Sequence, residues 1–215
     1  MSGVAAFVGP ALTAFGVAGA LVAVRQGRPW AYGAAKGVAS LGFLVTALAV
    51  GAAAEGWTRW ALVALAFSAA GDVALAVRSR GGFLGGLALF LLAHATFAVA
   101  FAARGVAAVL LVAAGGGVAL ALGLGWRAWR GRLPEAMRAP VAAYALVLGT
   151  MVALALATGA AHRAPALVVG ALLVAGSDLA VARERFATKG FVNKAIGLPT
   201  YYLGQTLVAL ALVGP

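Results

Sequence analysis

Eight continuous apolar runs of roughly 18–23 residues, separated by short charged connections, constrain this chain more than any other feature. They cover about 5–24, 31–54, 59–77, 83–103, 105–125, 138–158, 164–182 and 195–213. About twenty apolar residues in a helix cross the hydrocarbon core of a bilayer, and a helix satisfies its own backbone there. The runs lack the alternation of barrel strands. The expected fold is therefore an all-α integral membrane protein, a bundle of eight transmembrane helices forming a single polytopic domain over 1–215. With 64% hydrophobic and 10% charged residues and a mean hydropathy of +1.04, the chain has too few polar side chains for a water-facing surface. It has no cysteine, which excludes disulfides and thiolate metal sites.

The net charge of +11 would suit a nucleic-acid binder, but the basic residues sit in the connections between runs. Those after the first, third, fifth and seventh runs carry Arg25, Arg28, Arg78, Arg80, Arg127, Arg130, Arg132, Arg138, Arg183, Arg185, Lys189 and Lys194. The others carry only Arg59, Arg104 and Arg163. The asymmetry predicts cytoplasmic odd connections and extracytoplasmic termini, in a cell membrane, with the bacterial inner membrane the expected site. Trp30, Trp57, Trp60, Trp126 and Trp129 all fall at run ends, as an aromatic belt would. No basic residue precedes the first run, so a cleaved signal peptide is not expected. The partners expected are membrane lipids and no nucleic acid; the oligomeric state is left open.

One basic residue, Lys36, lies inside a run, and so do both aspartates of the chain, Asp72 and Asp178. Each aspartate stands about one and a half turns before the predicted cytoplasmic end of its helix. A carboxylate is too short to snorkel, and a charge at that depth normally faces the bundle interior and marks function. Other polar groups lie at similar heights. Lys36 and Ser40 share a face, as do Ser68 and Asp72. His94 lies in a stripe with Phe90, Phe97 and Phe101 and suits packing and function about equally. Tyr144 suits an interfacial girdle nearly as well as a site. Tyr201, Tyr202 and Gln205 follow Pro199, which frees a backbone carbonyl. One polar pocket opening toward the inner leaflet would accommodate them all. An offset of 106 residues aligns GDVALAVR with SDLAVAR, and one of 111 pairs His94 with Gln205, suggesting a weak parallel repeat of helices 3–4 in helices 7–8.

Taken in order, KGVAS at Lys36, FSAAGDVAL at Asp72, GLALFLLAH at His94, YALVLGTM at Tyr144, GSDLAVARERF at Asp178 and TYYLGQTL at Tyr201–Gln205 resemble the YhhN-like membrane proteins. That family includes the lysoplasmalogenases. Gly37 stands where a proline is usual, and Thr96 and Phe97 where a tyrosine is common. The resemblance implies an intramembrane hydrolase that cleaves the vinyl ether bond of a lysoplasmalogen to a fatty aldehyde and a glycerophospho-base. Vinyl ether hydrolysis begins with protonation of the β-carbon, and water captures the resulting oxocarbenium ion. It needs a general acid and a carboxylate near the cation, and two carboxyl groups close together in a low-dielectric site resist ionising together. The expected catalytic groups are Asp72 and Asp178 as a pair, with His94. Lys36, Ser68, Tyr144, Tyr201, Tyr202 and Gln205 are expected to bind a lysophospholipid substrate entering from the inner leaflet. Lys36 would neutralise the ionised aspartate or hold the phosphate. No cofactor and no metal are expected. Three other readings stay open: a proton-coupled transporter or flippase of a small lipid or amphiphile, a hydrolase with a metal held by Asp72, His94 and Asp178, and a purely structural or regulatory membrane protein. With His94 and His162 the only histidines, a three-histidine zinc site is excluded.

Overall fold

The computed structural model describes residues 3–53, 56–77 and 79–212, and the side chains from residue 7 onward. Arg78, assigned above to a connection, lies outside the described residues. The described residues form eight α-helices: α1 (Gly3–Arg25), α2 (Pro29–Ala49), α3 (Gly56–Ala76), α4 (Arg80–Arg104), α5 (Ala108–Trp129), α6 (Glu135–Ala161), α7 (Pro165–Phe186) and α8 (Phe191–Leu210), with a 3₁₀ turn at Arg130–Arg132. Most helices run past the apolar limits expected from the sequence, because backbone hydrogen bonding continues into flanking charges whose long side chains reach outward. Arg80, Arg127, Arg138, Arg183, Glu184, Arg185 and Lys194 consequently lie on helices. α2 stops earlier than expected, before Gly51, whose φ of +89° a helix does not admit.

Seven of the helices are long and apolar enough to cross a membrane, as a multi-pass membrane protein requires. α8 is the exception. Asn193, Lys194, Pro199, Tyr201, Tyr202 and Gln205 lower its hydropathy, and most of them turn inward against other helices. Four antiparallel hairpins, α1/α2, α3/α4, α5/α6 and α7/α8, build the bundle. α8 also touches α1, α2 and α3, while α4 and α7 both touch α6. α5 packs mainly on α6 and buries no residue fully, so it is the outermost helix.

Small residues decide which helices come closest. A Cβ on Gly16 of α1 would lie 2.5 Å from the Ala39 nitrogen of α2, so only glycine permits that crossing. α7 and α8 cross through a reciprocal pair: a Cβ on Gly170 would lie 2.8 Å from the Gly204 carbonyl oxygen, and the converse distance is also 2.8 Å. Ser79 caps α4 by accepting from the Gly82 N–H at 2.9 Å. Glu184, near the end of α7, accepts from the Gly190 N–H at 2.9 Å, from Asn193 Nδ2 at 2.8 Å and from Lys194 Nζ at 2.6 Å, which fixes the turn into α8.

Candidate active site

The aspartates are not joined to each other: among the described residues no hydrogen bond or ion pair links the two carboxyl groups. Each has its own set of partners.

Asp72, on α3, is held from two sides. From α2, Lys36 Nζ pairs with Oδ1 at 3.0 Å and Ser40 Oγ donates to Oδ2 at 2.7 Å. Lys36 and Ser40 are one turn apart on one helix face, which lets both reach the same carboxylate. From α8, Tyr201 OH donates to Oδ2 at 3.0 Å. Tyr202 OH donates to the Lys36 carbonyl at 3.2 Å and lies 3.3 Å from Ser40 Oγ. Lys36, Ser40, Asp72, Tyr201 and Tyr202 are all buried. One turn deeper on α3, Ser68 Oγ accepts from Gln205 Nε2 at 3.1 Å, again joining α3 to α8. Both carboxylate oxygens of Asp72 are engaged, and its charge is neutralised where it stands. A lysine and an aspartate buried together tolerate the low dielectric only while both are present.

Asp178, on α7, is held differently. Tyr144 of α6 donates its hydroxyl proton to Asp178 Oδ2 at 2.8 Å. His94 of α4 places Nε2 2.9 Å from that tyrosine oxygen and 3.3 Å from Asp178 Oδ2. The His94 and Tyr144 rings meet edge-on, with centroids 5.4 Å apart. His94 is fully buried, whereas the Asp178 side chain keeps 19% of its surface exposed. Its other oxygen, Oδ1, makes no hydrogen bond or ion pair within the described residues. Among the described residues, His94 is the one partner of Asp178 able to carry positive charge.

The sequence expectations are thereby located. Lys36, Tyr201 and Tyr202 gather on Asp72; His94 and Tyr144 gather on Asp178; Ser68 and Gln205 form a pair of their own. Tyr144, half-buried on α6, turns its hydroxyl toward His94 and Asp178. The sequence marks Ser40 only as a face-mate of Lys36, yet it makes the shortest bond to Asp72; the four-residue spacing is the signal for it. No three His, Asp or Glu side chains cluster among the described residues as a metal site would need. Two apolar grooves, one lined by Leu156, Gly159 and Val168 and one by Gly115, Leu122 and Gly149, lie away from both carboxylates.

The bundle defines a helical, multi-pass membrane protein with acid, base and hydroxyl groups turned into its interior. The YhhN family model matches residues 33–212, and the chain belongs to that family. Bovine (Bos taurus) lysoplasmalogenase TMEM86A is 33% identical over 159 residues, covering 70% of this chain and 64% of the relative. The human (Homo sapiens) lysoplasmalogenase TMEM86A is 34% identical over the same shares. The match thus spans somewhat under two thirds of the length of these relatives. No solved structure matches the chain.

Proposed function

We propose that this protein is a lysoplasmalogenase, an intramembrane hydrolase that splits a vinyl ether into a fatty aldehyde and a glycerophospho-base, and that Asp178 carries the chemistry. The observation that carries the proposal is the half-engaged carboxyl group of Asp178: Oδ2 is fixed by Tyr144 and His94, while Oδ1 is left for a substrate. In the reaction Oδ1 delivers a proton to the β-carbon of the vinyl ether, and the π electrons form the new C–H bond. The α-carbon becomes an oxocarbenium ion, and the carboxylate just formed is its counter-ion. Water adds to the α-carbon, and the hemiacetal breaks its bond to the glycerol oxygen, which leaves as an alcohol. Proton transfer from a positioned acid contributes about 10²–10⁴-fold to such a rate.

Asp72 takes the other role the chemistry calls for, a fixed anchor. With Lys36 on one oxygen and two hydroxyl donors on the other, it ties α2, α3 and α8 together and orients Tyr201. Lys36 neutralises this carboxylate rather than a substrate phosphate. We place all eight helices in the bilayer, with both termini outside and both aspartates toward the cytoplasmic side. The lysophospholipid would enter sideways from the inner leaflet, its tail between helices. Similarity to two lysoplasmalogenases supports the reaction, and the basic odd connections support the placement. Purified protein given a lysoplasmalogen and an acyl lysophospholipid should release aldehyde from the first and no fatty acid from the second. Absence of aldehyde across several vinyl-ether headgroups would overturn the proposal.

A further inference from the structure

Two fully buried polar side chains, His94 beside Asp178 and Gln205 on α8, each leave one atom without a partner. His94 Nδ1 and Gln205 Oε1 make no hydrogen bond among the described residues, although both side chains are fully buried. A buried polar atom left unpaired is costly, so each of the two calls for a partner.

Their positions correspond. α4 and α8 are even-numbered members of an up-and-down bundle and run in the same direction. Phe90 of α4 and Tyr201 of α8 meet edge-on, with ring centroids 5.8 Å apart. One turn further along each helix, four residues and about 6 Å of rise, stand His94 and Gln205. The contact sets the register, so His94 and Gln205 stand at one level on α4 and α8.

The hydrogen bonds also fix what each atom offers. Tyr144 has one hydroxyl proton, and it goes to Asp178. The tyrosine oxygen must therefore accept from His94 Nε2, which makes Nε2 the protonated nitrogen and Nδ1 the one with a free lone pair. Gln205 donates its Nε2 to Ser68, leaving Oε1 as an acceptor. Two acceptors at one level match a molecule with two protons to give. We propose that His94 Nδ1 and Gln205 Oε1 hold the hydrolytic water molecule, with both of its protons engaged and a lone pair directed at the substrate.

This inference rests on the vinyl-ether reading and supplies its second half. When the oxocarbenium ion forms, the water oxygen bonds to the α-carbon and loses a proton to His94 Nδ1. The imidazole passes its Nε2 proton to Asp178 Oδ2, which restores a neutral carboxylic acid and leaves the imidazole neutral with its proton on Nδ1. Proton exchange with water then returns the carboxyl proton to Oδ1 and the imidazole proton to Nε2. Gln205, anchored through Nε2 to Ser68, takes no part in the proton transfers and orients the water through Oε1.

Two measurements test it. In D₂O, wild-type protein should hydrate the cation faster than the cation reverts, so recovered lysoplasmalogen carries no deuterium at its vinyl carbon. In Gln205→Leu, aldehyde release should fall about 100-fold, the scale of one lost acid–base contact, while recovered substrate gains deuterium as the cation returns. Wild-type aldehyde release by the variant, or lost release without deuterium gain, overturns the water site. Nitrogen-15 NMR of histidine-labelled wild-type protein needs no variant and no turnover. His94 Nδ1 should resonate as an unprotonated nitrogen accepting a hydrogen bond; a protonated Nδ1 overturns the site. Should wild-type protein release no aldehyde, the vinyl-ether reading fails by itself, and the nitrogen spectrum still decides the water site.

Discussion

Asp72 and Asp178 occupy corresponding places in the bundle and are held in corresponding ways. Each accepts from the helix preceding its own, α2 for Asp72 and α6 for Asp178, and from the fourth helix of the opposite half, α8 and α4 respectively. The difference lies in the chemistry of the partners. Asp72 meets a lysine and two hydroxyl donors, fills both its oxygens and is almost wholly enclosed. Asp178 meets one hydroxyl and one imidazole, keeps an oxygen free and is partly exposed. A permanent cation fixes a carboxylate as a carboxylate, whereas an imidazole exchanges protons with it. Similar backbone positions thus yield an anchor in one place and a proton-handling group in the other.

The strongest way to break this comparison is to remove each acid in turn. Asp178→Asn keeps an acceptor for Tyr144, so the bundle should stay folded while aldehyde release falls about 10³-fold, within the range of a lost general acid. Asp72→Asn leaves Lys36 as an unpaired buried charge and should cost about 3–5 kcal/mol of stability, read as a lowered unfolding temperature in detergent. Lys36→Met should cost a similar amount by stranding Asp72. Combining Lys36→Met with Asp72→Asn should recover most of that loss, since the two residues act as one unit. If the double variant is as unstable as the sum of the single ones, Asp72 and Lys36 do not form a closed pair.

Smaller effects sharpen the same contrast. Gly170→Ala would press a methyl group against the Gly204 carbonyl and should cost about 1–3 kcal/mol as α7 and α8 separate. Because α7 carries Asp178 and α8 carries Gln205, its activity should fall together with its stability. Tyr201→Phe removes one hydrogen bond to an already saturated Asp72 and should cost about 1 kcal/mol, visible in thermal unfolding.

The helices and their hairpins were legible because apolar runs of spanning length admit few other structures. The polar residues at membrane depth were legible for the same reason: on so apolar a background, Lys36, Asp72, His94 and Asp178 stand out individually. Their pairing was not. Spacing along one helix shows that Lys36 and Ser40 point the same way, but whether α4 or α8 lies beside a given aspartate depends on glycine crossings such as Gly16 on Ala39 and Gly170 on Gly204. Those crossings look like any other small residues in a chain with 30 glycines. The single pocket expected from shared depth resolves into an Asp72 set, an Asp178 set and the Ser68–Gln205 bond, since depth constrains height in the membrane but not position around the bundle.

The central claim is that proton chemistry belongs to Asp178 and anchoring to Asp72. Aldehyde release from a lysoplasmalogen, measured side by side for folded Asp178→Asn and folded Lys36→Met/Asp72→Asn, tests it directly. The expected result is about 10³-fold loss for the first and no more than about tenfold for the second, since a neutral pair contributes little net charge to the reacting centre. Full activity in Asp178→Asn, or complete loss confined to the folded double variant, would contradict it.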